Sequence, residues 1–310
     1  LRSRGYYVAM IGDGVNDVLS LKKADIGIAM NSGSQATRGV ADIVLLNDSF
    51  AALPPAFLEG QRIVNGMQDI VRLFLVRVFY MALIIVGVAV VGLGFPFSPI
   101  NSSLLTLLTV GIPVFALAAW SRPQPRAGLI RSVMRFVIPG SLSLALVGLG
   151  IYIYFYLSVV NAYLGPVEIS TVQDLLELER ASGVPINDLM RTVAQEATSI
   201  AQTALTVVLT LCGLVLVIFV EPPTQFWVAG DEYSGDWRPT FLALGMLALF
   251  VFILAFPPAR DFFELASLQP VEYALLAGIT AAWAVGLRWV WRSYIFDRFL
   301  NLDIPERRPA

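Results

Sequence analysis

Apolar residues run through most of this chain, and the runs come in two lengths. Near the start they are short: Tyr6 to Ile11, Ile26 to Met30 and Ile43 to Leu46 are mostly apolar segments bounded by glycine, aspartate or asparagine, the pattern of buried strands. Asn16 to Ala24 and Ser34 to Ala41, between them, read as helices, so strand and helix alternate as in parallel α/β packing. Beyond Pro54-Pro55 the runs lengthen. A helix is expected from near Ala56, with Glu59, Gln61, Arg62, Asn65, Gln68, Asp69 and Arg72 in its polar first part and an apolar stretch from Leu73 to Leu93. Further apolar segments cover Ser102 to Trp120, Val133 to Val159, Thr198 to Val220, Thr240 to Phe256 and Val271 to Trp291. Each comes close to or exceeds the roughly 20 residues that a helix needs to cross about 30 Å of hydrocarbon, which predicts six crossings.

Composition agrees with a membrane protein: 57% of the 310 residues are hydrophobic and only 14% are charged. The formal charge of -2, with no basic run carrying interleaved aromatics, sets nucleic acid aside as a partner. Cys212 is the one cysteine and there is no histidine, which excludes an intrachain disulfide and leaves tetrahedral zinc almost without ligands. No basic segment followed by a cleavage site opens the chain, which starts at Leu1 without an initiator methionine and reads as a fragment.

Loop charge predicts orientation, because cytoplasmic connections collect lysine and arginine. Arg122, Arg126, Arg131 and Arg135 place the second-to-third connection in the cytoplasm, as Arg292, Arg298, Arg307 and Arg308 place the tail. The uncharged Phe95 to Asn101 turn and the acid-rich connection from Asn161 to Ala197 fit the opposite side, the latter with an expected amphipathic connector helix over Thr171 to Ala181. The mostly acidic loop from Glu221 to Arg238 breaks the charge rule, although alternation puts it inside. Both ends of the chain are thus expected to face the cytoplasm. Trp120, Trp237, Trp289 and Trp291 at the span ends read as interfacial anchors.

The stretch that carries chemistry is Met10-Ile-Gly-Asp-Gly-Val-Asn-Asp17. Two carboxylates and an amide gather on a turn after a hydrophobic strand, where Gly12 and Gly14 let the backbone approach a phosphate and oxygen donors can hold Mg²⁺. Ligands of open parallel sheets bind at the carboxyl ends of strands, which is where Asp13 stands. An EF-hand is excluded by Val15 at the third loop position, and a Walker loop by the lack of Gly-Lys-Ser/Thr.

GDGVND, then LKKADIGIAM, then ADIVLLNDSF and a glutamate-bearing helix leading into the membrane resemble the P-type ATPase family over essentially the whole chain. The resemblance implies a fold in two parts. Residues 1–55 would be the C-terminal part of an α/β haloacid-dehalogenase-like (Rossmannoid) phosphorylation domain, 56–72 a cytoplasmic stalk, and 73–310 a membrane α-helical bundle of six transmembrane helices with a cytoplasmic tail. Matched to the family's GDGxND motif, Asp13 resembles the Mg²⁺ ligand, while Asn16 and Asp17 resemble residues that order the aspartyl-phosphate site, with Asp17 a second candidate for the metal. Lys22 and Lys23 read as a solvated helix face. The implied activity is ATP-driven cation transport through an aspartyl phosphate, with ATP and Mg²⁺ required. The phosphorylated aspartate of DKTGT, the actuator's TGE, the nucleotide-binding domain and four preceding membrane helices are not in this sequence, so the rest of the same polypeptide is an expected partner and this stretch alone is expected to be inactive.

The first two crossings resemble the family's fifth and sixth membrane helices. Thr106-Leu-Leu-Thr-Val-Gly-Ile-Pro113 looks like the sixth-helix pattern NLxTDGxP, matched at Thr109, Gly111 and Pro113, but Thr106 replaces Asn and Val110 replaces the ion-binding Asp. Val78 and Met81 stand where calcium pumps carry Asn and Glu. A desolvated cation without carboxylates is costly, so the expected path relies on backbone oxygens that Pro113 and Gly111 free, with Thr106 and Thr109 beside them. Arg77 reads as a snorkelling or stalk residue, and Glu196, Thr198, Gln202, Thr203 and Thr206 as interhelical hydrogen-bonding groups. Within the family, bacterial pumps with a non-acidic site, including mycobacterial-type calcium-uptake pumps, look nearer than acid-rich exporters, and a bacterial plasma membrane is the expected location. Two alternatives stand beside this reading: a lipid flippase or polyamine exporter, and a membrane-bound phosphatase or silent scaffold.

Overall fold

The computed structural model describes residues 1–123, 129–164, 185–224, 227 and 235–293. They form two compact units, one built on Leu1–Val64 and one on most of the chain from Asn65 onward.

The first unit is a three-stranded parallel sheet in the order β1 (Ala9–Gly12), β2 (Ile26–Met30), β3 (Ile43–Leu45), with α1 (Val18–Lys23) and α2 (Gln35–Val40) as the crossovers. A repeated aspartate device sets its edges. Asp25 donates its N–H to the Val8 carbonyl at 2.8 Å and accepts the Val8 N–H on Oδ2 at 2.8 Å. Asp42 does the same to Gly27, at 2.8 and 2.7 Å. Each aspartate thus satisfies both backbone groups of a residue in the preceding segment, where an unpaired N–H would weaken the ladder. The first pairing falls at Val8, which explains why β1 begins at Ala9 and leaves Tyr6 and Tyr7 exposed rather than extending the strand to Tyr6. Asp42→Ala should lower this unit's stability by about 1 kcal/mol. Hydrogen exchange at the Gly27 amide would then be faster than in the parent protein.

The second unit is helical. In α3, Leu53–Val91, 39 residues form one unbroken helix, of which the part from Asn65 onward belongs to this unit. It is followed by α4 (Pro99–Thr106), a π-helical turn over Leu107–Gly111, α5 (Ile112–Trp120), α6 (Leu129–Leu164), α7 (Ile186–Val220), α8 (Arg238–Ala255), a short α9 (Pro257–Phe262) and α10 (Pro270–Arg292). Among the described residues, six helical segments are long and apolar enough to cross a membrane: Phe50–Val91, Pro99–Trp120, Ser132–Tyr163, Ile186–Val220, Arg238–Ala255 and Pro270–Arg292. These agree with the expected crossings, with ends that differ for local reasons. The polar residues Asn187, Asp188, Arg191 and Glu196 continue α7 beyond its apolar part, and Pro257-Pro258 stop α8 and start α9, which the sequence pattern did not reveal. The connector expected over 171–181 lies outside the described residues.

The central post is α7: Leu205, Val208, Leu209, Cys212 and Val217 are fully buried, and α6, α8, α10 and the π-turn all pack on it. Small residues permit the closest approaches, as membrane helices lack a hydrophobic force between them and depend on packing. A Cβ on Gly148 would lie 2.7 Å from Ile84 Cδ1, and one on Gly213 would lie 2.6 Å from Thr109 Cγ2.

The polar opening of α3 departs from a simple stalk. Asn65, Gln68, Asp69 and Arg72 are buried, each with 3% exposure or less. Arg72 pairs with Asp69 at 3.5 Å, donates to Ser132 Oγ on α6 and lies 5.6 Å over the Phe136 ring. A charge taken out of water needs such partners. The helical spacing that places residues 65, 68, 69 and 72 on one face carries no sign of whether that face meets water or protein.

Candidate functional site

The loop after β1 is the best-built polar site of the first unit. Gly12 ends the strand, Asp13 follows it, and Val15–Asp17 form a single 3₁₀ turn that leads into α1. The Asp17 carboxylate turns back on this loop, where its Oδ2 accepts the Gly14 N–H at 3.1 Å and the Asp13 N–H at 3.3 Å. Space for that fold-back exists because residue 12 is glycine: a Cβ there would lie 2.5 Å from Asp17 Cβ. Gly14 is different. A Cβ on it would make ordinary 3.6 Å contact, and its φ of −95° suits any residue, so its contribution is its N–H.

A second clamp comes from α2, and the motif itself gives no hint of it. The Asp13 carbonyl accepts the Ser34 N–H at 2.9 Å, and the Gly14 carbonyl accepts the hydroxyl of Thr37, a fully buried side chain, at 3.0 Å. Ser34 Oγ caps α2 by accepting the Thr37 N–H at 3.1 Å. Gly33 is needed for this approach, since a Cβ there would lie 2.9 Å from the Asp13 carbonyl oxygen. The readable signal was Ser34-x-x-Thr37 at a helix start, which suggests a cap but not what the helix holds.

With the backbone fixed on both sides, the side chains of Asp13 and Asn16 are exposed and, among the described residues, make no hydrogen bond. They are poised for something outside the chain's own network. Magnesium keeps several waters and takes one or two protein carboxylates together with phosphate oxygens, so a single open carboxylate at a strand's carboxyl end fits as part of its shell. Among the described residues, no group of three or more carboxylate, cysteine or histidine side chains could complete a shell alone. Asp17 has Oδ2 committed to the loop, where it accepts the Asp13 and Gly14 N–H groups. Lys22 and Lys23 are exposed on α1, as expected of a solvated face.

The second unit holds the other candidate residues. At the π-turn the Ile112 N–H donates to the Leu107 carbonyl, five residues back. Pro113 then has no N–H for the carbonyls four or five residues before it, Thr109 and Leu108. Gly111, Thr109 and Pro113 therefore do share one distorted turn. Their hydroxyl neighbours are less open than the sequence suggests: Thr109 Oγ1 donates to the Leu105 carbonyl at 2.7 Å and Thr106 Oγ1 to Ser102 at 2.5 Å. The protons are spent within the helix, and only oxygen lone pairs remain. Val78 is exposed on α3 and Met81 packs against the core.

Arg77 does not snorkel along its helix. Its Nη2 reaches the Ser102 carbonyl on α4 at 3.4 Å and its Nε is buried, so the guanidinium points into the bundle. On the face of α7, Gln202 Nε2 donates to the Phe95 carbonyl at 2.8 Å, Thr203 Oγ1 accepts the Ala266 N–H at 2.8 Å, and Glu196 accepts the Tyr163 hydroxyl. These polar groups tie α7 to the loop residues Phe95 and Ala266 and to the end of α6.

No family model matches the chain. Among curated proteins it is similar to the calcium-transporting ATPase CtpE of Mycolicibacterium smegmatis, 32% identical over 302 residues, which is 93% of this chain and 33% of that protein. The probable cation-transporting ATPase exp7 of Streptococcus pneumoniae is 36% identical over 151 residues, 46% of this chain and 19% of that protein. An endoplasmic reticulum-type calcium-transporting ATPase of Arabidopsis thaliana is 38% identical over 117 residues, 38% of this chain and 12% of that protein. The chain thus spans about a third of the length of the first of these relatives. With six apolar helices and homology along nearly its whole length, this chain is an integral, multi-pass membrane member of the P-type ATPase family.

Proposed function

We propose that the protein to which this chain belongs is a primary active transporter that moves a cation across a bacterial plasma membrane at the expense of ATP, through an aspartyl phosphate formed on a residue outside this sequence. The observation that carries the reading is the loop after β1, where two independent clamps fix the backbone and leave Asp13 as an open carboxylate. In this reading Asp13 holds Mg²⁺, with Asn16 beside it. The metal, when bound, neutralises charge on the phosphoryl oxygens. Asp17, Ser34 and Thr37 hold the Asp13 backbone in place, so that no reorganisation is needed when the phosphorylated group arrives. The unbroken α3 conveys the phosphorylation state toward the bilayer, with both ends of the chain in the cytoplasm.

The cation path in this reading passes the π-turn, where neutral oxygens take the place of carboxylates. Calcium is the first cation to test, because the relatives similar to this chain are named as calcium-transporting. The test is a comparison of two phosphorylation reactions in the intact protein. Pro113→Ala restores an N–H to the turn and should shift the cation concentration that half-activates phosphorylation from ATP by at least tenfold, with phosphorylation from inorganic phosphate changed less than threefold. Equal effects on both reactions would remove the turn from the path.

A further inference from the structure

The apolar part of α3 carries a single cation, Arg77, and nothing in this sequence supplies it with a carboxylate. Arg72 has Asp69 three residues back, at 3.5 Å. The corresponding positions around Arg77 hold Leu73 and Phe74 behind it and Tyr80 and Met81 ahead. Between Asp69 and Glu168 the chain has no aspartate or glutamate, and α7 from Ala197, α8 and the part of α10 beyond Glu272 have none either. Arg77 accordingly forms no ion pair among the described residues. Its partners are neutral oxygens: Nη2 reaches the Ser102 carbonyl at 3.4 Å, the Tyr80 hydroxyl is a second oxygen beside it, and the Nε–H is buried without a partner.

The side chain also leans away from the polar opening of α3. Gly66 packs on Ser121 and Ala118, which gives α3 and α5 a common level. From there Arg77 stands about 17 Å along α3, and Ser102 about 29 Å back along α5 and α4, by helix rise. A tilt of 40°, the upper end for membrane helices, still leaves Ser102 about 22 Å away. To touch the Ser102 carbonyl, the guanidinium therefore extends farther from the polar end, the reverse of snorkelling. Val91 lies about 21 Å beyond Arg77 in the other direction, so the charge stays between the two boundaries of a hydrocarbon layer about 30 Å thick.

We propose that Arg77 pairs with an aspartate or glutamate on a membrane helix of the same polypeptide outside this sequence, which lies along the open face of α3. Val71, Phe74, Val78, Ala82 and Val86, at steps of three and four, form an exposed apolar stripe with Arg77 at its edge. Charge selects the partner group, because a cation held among neutral groups inside a bilayer is costly and a carboxylate relieves that cost. Depth selects its carrier, since a helix is what brings a side chain to mid-membrane with its own backbone satisfied. The chain spans about a third of the length of such a relative as the mycobacterial ATPase, which leaves room for that helix. The pairing is independent of the transport reading: it uses none of the residues of the loop after β1 and is read out on stability and proximity.

The first check is the sequence of the intact protein, where at least one aspartate or glutamate must fall within an apolar span outside residues 1–310. Each such carboxylate is then neutralised, Asp→Asn or Glu→Gln, alone and together with Arg77→Gln, and thermal unfolding of the intact protein is followed in nanodiscs. Arg77→Gln should lower the midpoint by at least about 5 °C. One neutralised carboxylate should do the same, and the double variant should lie within about 1 °C of the worse single one. Arg77→Glu combined with a lysine in place of that carboxylate should recover at least half of what Arg77→Glu alone loses. Phe74→Cys and Val78→Cys leave Arg77 in place and keep the test decisive if Arg77→Gln misfolds: each should form a disulfide with a cysteine one turn from that carboxylate. The absence of any carboxylate from the other apolar spans, strict additivity with every one of them, or no disulfide from either cysteine would overturn the proposal. So would a loss on Arg77→Gln that only anionic lipid in the nanodisc modulates, which would assign the guanidinium to a lipid phosphate instead.

Discussion

Asp13→Ala in the intact protein is expected to abolish the acid-stable phosphoenzyme formed from ATP, a loss of at least a hundredfold, while the helical unit keeps its thermal stability. The size follows from what the side chain does not do in the fold. Its carboxylate makes no hydrogen bond among the described residues and is exposed, so its removal costs the loop little. The backbone of residue 13 stays held by Ser34 and Asp17. What is lost is a negative charge at the carboxyl end of β1, which in the proposed function is the hold on the divalent ion that phosphoryl transfer requires. Asp17→Ala gives the contrasting case, since that change frees the Gly14 N–H and loosens the loop itself. Labelling of Asp13→Ala at the parent level would show that the open carboxylate has no part in phosphorylation.

Gly213→Ala should be the most damaging single-methyl change in the helical unit. The added Cβ would lie 2.6 Å from Thr109 Cγ2 and 2.8 Å from Thr109 Cβ, well inside contact distance, on two helices that are both anchored elsewhere. Overpacking of this kind costs about 1–3 kcal/mol. The strain falls on the π-turn itself, so cation activation should weaken about tenfold along with the thermal shift. Gly245→Ala is the control. It adds the same methyl to α8 with nothing within 4 Å and should be neutral or slightly stabilising. Indistinguishable behaviour of the two variants would mean that α7 does not press on the turn.

The sequence made some of this legible because a few residues carry it alone. Long apolar runs announce crossings regardless of their neighbours, and GDGVND announces a tight, oxygen-rich loop after a strand by its glycines and carboxylates. What stayed hidden depends on the partner across a contact. Arg77 and Arg72 look alike as cations on α3, yet one reaches the Ser102 carbonyl and the other is sealed against Asp69, Ser132 and Phe136. Ser34 and Thr37 belong to a helix twenty residues past the loop they clamp, and Gly33 is required only because the Asp13 carbonyl lies above it. The π-turn follows from Gly111 and Pro113 together, but the hydroxyls of Thr106 and Thr109 turn inward to their own helix, which no spacing rule reveals.

The most direct test is phosphorylation of the intact, unmutated protein by labelled ATP with Mg²⁺, as one cation at a time, calcium first, is added to chelator-stripped membranes. An acid-stable label that appears only with Mg²⁺ and a particular cation, and that chases away on adding unlabelled ATP, is what cation-coupled aspartyl phosphorylation requires. A label that forms equally without any added cation, or no label under every condition, would contradict it.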